Sequence, residues 1–305
     1  MKIAVIGLGD IACKAYLPVI TQLSNVELIF CTRNQHSLTQ LAQQYRIFST
    51  ETDYKSLIKH QPDAVMIHAT TSAHNEIASF FLQNRIATFV DKPLVDSYEQ
   101  AENLYEMAER YSTPLYVGFN RRHIPLYNQN LPELAEGNVG ELTSLRWEKH
   151  RYNLTGESRT FIFDDFIHPL DSINLSSNIS LDDIHIVTQK KDNQIARIDV
   201  QWMINGCIVE ASMNRMSGAT FERVSACYEN QTYEFDSFIQ GKHLSQNVAT
   251  EIKLKDWTPM LESKGFVHML RDWISVIEKG AMNPEVVNRN LLTHRIAEHI
   301  YSHVS

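Results

Sequence analysis

Asp164, His168 and Asp171 stand at positions i, i+4 and i+7 of the segment Asp164-Asp-Phe-Ile-His-Pro-Leu-Asp171. On a helix advancing about 100° per residue they fall within about 60° of one another. Two carboxylates and an imidazole on one face form a set that can move a proton, because imidazole titrates near neutrality. A second candidate is Lys92, in Asp91-Lys-Pro93, directly after the apolar run Ala87 to Val90. If that run is a parallel strand, its carboxyl end is where open α/β sheets bind ligands. An ammonium there can stabilise charge developing on an oxygen. The plain alternatives are a packed or helix-capping His168 with solvated aspartates, and a surface lysine. Pro169 has no N–H and tolerates only a first turn or a kink. Regular helix is therefore expected to begin between residues 166 and 169, or to bend there. A start there would put His168 in the positive field of a helix N-terminus, against imidazolium, while a nearby carboxylate acts the other way.

The elements that must position these groups begin at the first residues. Ile3 to Ile6 is a short apolar run with β-branched residues, as a strand buried on both faces requires. It ends at Gly7-Leu8-Gly9-Asp10-Ile11-Ala12, a G-x-G-x-x-A turn entering a helix. In a dinucleotide-binding unit the first glycine permits the tight turn and the second lets backbone approach the pyrophosphate. The small third residue packs helix on strand, and free N–H groups of the helix start face the phosphates. Ile11 to Leu23 reads as that helix, bent or cut short by Pro18. The second strand, Val26 to Cys31, ends at Thr32-Arg33-Asn34, with no carboxylate for the ribose hydroxyls of NAD. A hydroxyl and a guanidinium there suit the 2′-phosphate of NADP, so NADP is expected ahead of NAD.

Leu38 to Tyr45 and Asp53 to Ile58 read as helices, and Ala64 to His68 as a strand. The strand opens onto Ala69-Thr70-Thr71-Ser72-Ala73-His74, small hydroxyl residues able to crowd a cofactor, with His74 as a possible cap of the helix Asn75 to Asn84. Ser97 to Tyr111 is a helix N-capped by Ser97, and Leu115 to Val117 is the last parallel strand. The alternation of strand and helix over residues 2–118 is the doubly wound pattern. The rhythm then changes. Glu141 to Arg151 reads as a strand, Asn153 to Thr160 as a polar loop, and Phe161 to Ser177 contains a helix. Ile184–Lys190, Gln194–Ile204, Cys207–Asn214 and Phe221–Tyr228 are strand-like, with Asn205-Gly206 a hairpin signal. Ile198, Val200 and Trp202 alternate with Arg197, Asp199 and Gln201, as in an antiparallel sheet covered on one side. Glu262 to Lys279 and Glu285 to His303 read as closing helices.

The 305 residues carry 43% hydrophobic and 21% charged side chains and a net charge of −8, which argues against a nucleic-acid surface. No apolar run reaches transmembrane length, and a strand starting at residue 2 leaves no room for a signal peptide. Cys13, Cys31, Cys207 and Cys227 are scattered, so free thiols in a cytoplasmic protein are expected and no metal site is read.

Four motifs in order resemble the Gfo/Idh/MocA oxidoreductases, most closely the MviM type, over essentially the whole chain. They are Gly7-Leu-Gly-Asp-Ile-Ala12, Asp91-Lys-Pro-Leu94, Val117-Gly-Phe-Asn-Arg-Arg122 and Asp164-Asp-Phe-Ile-His-Pro-Leu-Asp171. Asp91 departs conservatively from the usual E-K-P, and Phe166 stands where D-x-G-x-H-x-x-D has glycine. The resemblance implies an α/β chain with an N-terminal Rossmann domain, residues 1–120. An α+β domain, residues 121–305, would follow, with a large, mostly antiparallel open sheet that often forms a homodimer. It implies an NAD(P) cofactor and a sugar, polyol or related substrate. Lys92, His168 and Asp164 match the catalytic positions, and Asp171 one that often contacts substrate; apart from the resemblance, His150, Arg151 and Tyr152 at a strand end are further pocket candidates, the alternative being ordinary half-exposed strand residues. Cofactor contacts are expected from Gly7, Gly9, Asp10, Ile11, Ala12, Thr32, Arg33, Ala69, Thr70, Thr71, His74, Asp91, Lys92 and Asn120. In the implied chemistry His168 takes the substrate hydroxyl proton as hydride leaves its carbon, Lys92 hydrogen-bonds the same oxygen, and Asp164 orients His168 or holds a hydroxyl. A nucleotide-binding regulator on the same fold, or a redox-neutral NAD-dependent glycosidase, are the competing functions.

Overall fold

The computed structural model describes residues 1–176 and 179–304, which divide into two compact units. The first comprises Met1–Phe119 with Phe266–Val287, and the second the remaining described residues. No helix among the described residues is long and apolar enough to cross a membrane.

The first unit is built on six parallel strands, β1 (Lys2–Ile6), β2 (Glu27–Cys31), β3 (Ser49–Glu51), β4 (Ala64–Ile67), β5 (Ala87–Val90) and β6 (Leu115–Val117). Their order is β3-β2-β1-β4-β5-β6, the dinucleotide-binding order with its reversal beside β1. β4 and β5 are buried at every residue, which is why they read as continuous apolar runs without alternation. The helix after β1 is not regular: Ala12–Tyr16 is a π turn and Leu17–Ile20 an α turn with Pro18 in its first positions. This is the bend that Pro18 demands.

The chain first leaves the first unit after Phe119, beside the expected boundary at residue 120, but not everything later stays in the second unit. The helix Phe266–Lys279 belongs to the first unit, where Trp273 lies 5.9 Å from the Phe89 ring and 5.6 Å from that of Tyr116. The Tyr116 hydroxyl donates to Asp272 at 2.9 Å. Residues 262–279, expected as one helix, are two, Met260–Ser263 and Phe266–Lys279, parted by Gly265 at φ +84°. A Cβ at Gly265 would collide with the Asn120 carbonyl, so the break is steric.

The second unit carries eight strands: β7 (Ser144–His150), β8 (His185–Lys191), β9 (Gln194–Ile204), β10 (Cys207–Asn214), β11 (Phe221–Tyr228), β12 (Gln231–Phe235), β13 (Gln240–Ser245) and β14 (Val248–Lys253). Their order is β14-β13-β12-β11-β7-β10-β9-β8, antiparallel except for β7 with β10. Ile198, Val200 and Trp202 face the core as the alternation predicts. β12, β13 and β14 are absent from the sequence expectation: β14 is exposed at almost every residue and gives no alternation to read. The helix expected within 161–177 is a π turn, Phe161–Phe166, followed by α-helix from Ile167 to Ile173. Regular helix thus begins inside the window set by Pro169; Ser177 lies outside the described residues. This helix packs on β7 and β10.

Trp273→Ala is expected to lower the unfolding free energy by about 3–5 kcal/mol, the cost of emptying a buried indole site. Urea denaturation checks it; a loss below about 1 kcal/mol would show that helix 266–279 is not part of the first unit's core.

Candidate active site

In the first unit the glycine turn leaves β1 through Gly7 at φ +86°. A Cβ there would meet the His68 carbonyl group and the Ala69 nitrogen at 2.6 to 2.8 Å, so the end of β4 excludes any side chain. Gly9 is different: a Cβ on it would touch nothing within 4 Å. The protein alone has no need of glycine at residue 9, whereas a pyrophosphate laid against the turn does. Ala12 is fully buried and packs the turn onto the sheet, while Ile11 and Asp10 are exposed and Asp10 pairs with Lys14. At the end of β2, Thr32 is half-buried, Arg33 is exposed and Asn34 caps the helix Gln35–Tyr45 through the Ser37 N–H. The turn therefore fits a dinucleotide.

After β5, Asp91 is buried and its Oδ1 accepts from the Tyr16 hydroxyl at 2.8 Å and from the Lys92 N–H at 2.8 Å. Burial pushes the Asp91 carboxyl upward, partly offset by the Lys92 charge and the Tyr16 bond. The Tyr16 ring in turn lies 4.0 Å from that of His68, which burial and nearby His74 hold near pKa 3, hence neutral. The π turn at 12–16 thus delivers a phenol to the carboxylate that holds the Lys92 backbone, and Lys92 itself is half-buried.

His74 is not a cap. The helix begins at Thr71, and the His74 ring lies inside, with Nδ1 3.0 Å from the Pro93 carbonyl and Nε2 3.0 Å from that of Ala69. Both nitrogens are engaged by backbone, so His74 ties the loop after β5 to the helix after β4 instead of offering a free nitrogen to a cofactor. Ala69 and Thr71 are half-buried and Thr70 exposed where β4 opens. Asn120 belongs to the second unit, where its amide donates to the Lys264 carbonyl at 2.8 Å and its oxygen accepts from Arg121 at 3.1 Å.

In the second unit the π turn breaks the face-sharing expected of Asp164, His168 and Asp171. Asp164 is exposed, His168 is buried, and Asp171 is sealed at 1% exposure. Arg122 grips both Asp171 oxygens, at 2.9 and 2.5 Å, Thr293 donates to one at 2.9 Å, and Arg289 donates to the Asp171 carbonyl at 2.9 Å. Burial raises the Asp171 pKa, but Arg122 and Arg289 outweigh it and hold it below the carboxylate range. Its carboxylate is spent on internal cations, so contact with substrate through those oxygens would require breaking them.

Asp165, a residue absent from the sequence expectation, is the other buried carboxylate. It receives Lys149 Nζ at 2.6 Å, Arg151 through Nε at 3.0 Å and Nη2 at 2.8 Å, and Arg215 Nη2 at 3.0 Å. Burial acts to raise its pKa, yet Lys149 and Arg151 drive it far below normal. Beside it, Glu222 takes both Arg121 and the Trp147 indole N–H. Burial, then the Arg121 charge, pushes Lys149 down to about 7, against the pull of Asp165 and Glu222. The only advance signal for Asp165 was its place beside Asp164; which of two adjacent carboxylates turns inward depends on the π turn.

A crystal structure of a Gfo/Idh/MocA family oxidoreductase from Vibrio cholerae is 54% identical, with a TM-score of 0.98, over 100% of this chain and 98% of that one. The chain belongs to the Gfo/Idh/MocA oxidoreductase family. Residues 1–119 match the family's NAD-binding Rossmann fold and residues 125–243 the YceM-like C-terminal domain. The protein YceM of Salmonella typhimurium is 25% identical over 99% of this chain and 97% of its own length. Inositol 2-dehydrogenase of Corynebacterium glutamicum is 30% identical over 50% of this chain and 48% of its own. As a family member the protein is an NAD(P)-binding oxidoreductase, which agrees with the glycine turn and the strand order described above.

Two consequences follow from the buried charges. Removing the Tyr16 phenol by Tyr16→Phe leaves the Asp91 carboxylate a donor short, and is expected to cost about 1–3 kcal/mol of stability in urea titrations near neutral pH. A cost below about 0.5 kcal/mol would mean that water replaces the bond. Lys149 titrates near 7 when folded and near 10.4 when unfolded, so between these values the unfolded chain binds more protons and stability rises with pH. Measured against Lys149→Met, the native protein should gain up to about 1.4 kcal/mol per pH unit above pH 7. A difference that is flat or falls from pH 7 to 9 contradicts the assignment.

Proposed function

We propose that this family member is an NADP-preferring dehydrogenase or reductase acting on a CH–OH group of a sugar, polyol or related small hydroxy compound. The observation that carries the reading is the contrast at the turn, where Gly7 is required by the fold and Gly9 is required only by something laid against it. Exposed Arg33, with no carboxylate beside it at the end of β2, supports NADP. The inositol-dehydrogenase relative supports a polyhydroxylated substrate. When bound, the nicotinamide supplies the hydride acceptor or donor. His168 takes the hydroxyl proton in oxidation and returns it in reduction. Lys92, fixed through Asp91 and Tyr16, donates a hydrogen bond to the reacting oxygen. Asp164, exposed in the turn before the helix, holds a neighbouring hydroxyl of the substrate. The protein works in the cytoplasm, where its four free cysteines remain reduced. It forms a homodimer through the open sheet face, where cross-strand partners Met203 and Ile208 are 63% and 44% exposed.

Nicotinamide fluorescence titration tests the cofactor assignment. NADPH should bind more tightly than NADH, and Arg33→Ala should weaken NADPH about tenfold to a hundredfold while sparing NADH. Gly9→Ala should leave the melting temperature within a few degrees and weaken both cofactors; equal or better NADH binding by the native protein would sink the Arg33 assignment. Screened on sugars and polyols with NADP(H), His168→Ala and Lys92→Ala should each lose at least about a hundredfold in turnover, and unchanged turnover in both would remove them from the chemistry.

A further inference from the structure

In a chain of net charge −8, three basic side chains, two of them guanidinium groups, converge on the single carboxylate of Asp165. Lys149 is 3% exposed, Arg215 5% and Asp165 6%. The neighbouring Arg121–Glu222 pair cancels itself and leaves the surplus intact. Asp164 also acts on Arg215 but is exposed, where water screens it. A structural ion pair needs one cation per carboxylate, and each uncompensated buried charge is costly. The cluster is also rigid. The Arg215 guanidinium lies 4.2 Å from the Phe161 ring centre, and its Nε is buried with no hydrogen-bond partner among the described residues. The Arg151 N–H donates to the Asn214 carbonyl, and the Arg151 carbonyl accepts from Ser217. Arg215 is fixed likewise by its N–H to Ala196 and its carbonyl to Leu154.

The cluster opens at Arg151. Its side chain is 34% exposed, while Lys149 and Arg215 are closed in behind it. Asp165 engages Nε and Nη2 of Arg151, so one edge of the guanidinium is committed and Nη1 has no protein acceptor among the described residues. Asp165 lies three residues before His168, in the turn that runs straight into the helix carrying it.

We propose that the substrate of this protein carries an oxyanion group, a carboxylate or a phosphate, and that Arg151 binds it with the buried Arg215 guanidinium behind, two guanidinium charges meeting the one carboxylate of Asp165. The inference rests on the reading of His168 as the proton acceptor and narrows its substrate from neutral polyols to acidic ones. An arriving anion neutralises part of the surplus that Asp165 leaves, and it meets a guanidinium already held in place, so little ordering is lost on binding.

Calorimetric titration of the NADPH-saturated protein, in which the cofactor fills its own phosphate site, decides the matter. The probes are inorganic phosphate, D-gluconate and the neutral D-sorbitol. At least one anion should bind, about tenfold or more tightly than sorbitol, with phosphate against gluconate telling which oxyanion is preferred. Arg151→Gln should remove about tenfold or more of that affinity with NADPH affinity unchanged, and Arg151→Lys should retain part of it. The proposal is overturned if neither anion binds, if sorbitol binds as well as gluconate, or if Arg151→Gln leaves anion affinity unchanged. Should NADPH itself fail to bind, the oxidoreductase assignment fails separately. Phosphate titrated without cofactor into Arg151→Gln and Arg33→Ala then still decides: a loss confined to Arg151→Gln sustains the anion site, and any other result overturns it.

Discussion

Two buried carboxylates pin one short helix at both ends, and the orientation of His168 depends on them. Asp165 ties the entry of the helix to β7 through Lys149, to the residue after β7 through Arg151 and to the segment after β10 through Arg215. Asp171 ties its far end to Arg122 and to Arg289 and Thr293 of the C-terminal helix. Seven residues of α-helix have little stability of their own. Charge-assisted bonds supply what length cannot, and they act at fixed angles because guanidinium and carboxylate are both planar forks. Breaking either set would leave several cations buried together, which is a larger penalty than losing a surface pair.

The first unit solves a similar problem with a neutral donor. Its Asp91 has a short side chain of limited reach. Here the phenol of Tyr16 comes to it, carried inward by the π turn that Pro18 enforces. The same oxygen takes the Lys92 N–H, so the backbone that presents the candidate ammonium is fixed by a bond across the sheet end. His74 clamps the next two residues of that loop through their carbonyls. The rigidity that a reacting group requires is thus obtained from side chains that need not touch substrate.

The sequence disclosed whatever depends on periodicity or on backbone sterics. β9, β10 and β11 have the bounds read from their alternation, and the glycine turn follows β1 as its spacing requires. β14 stayed hidden because a strand exposed on both faces carries no hydrophobic period, and β12 and β13, each with one buried residue, offer little more. The π turn at 161–166 was hidden for another reason: inserting the wider turn resets the angular relation of every later residue, and ideal 100° geometry then misplaces Asp164 and Asp165 relative to His168. Composition likewise conceals the site's charge. A protein with 36 acidic and 28 basic residues looks uniformly acidic until burial is known.

That separation of surface from interior charge bears on chemistry. A net charge of −8 spread over the exterior repels anions at long range, but beyond about 10 Å salt screens it at ordinary ionic strength. Buried cations act over shorter distances in a less polar medium, where each is worth more. An acidic ligand that has reached Arg151 therefore responds chiefly to the local surplus around Asp165, and the exterior sets little beyond its rate of approach. Discrimination against a neutral analogue then follows from what is left behind: without an anion, Arg151 and Arg215 share the one carboxylate of Asp165.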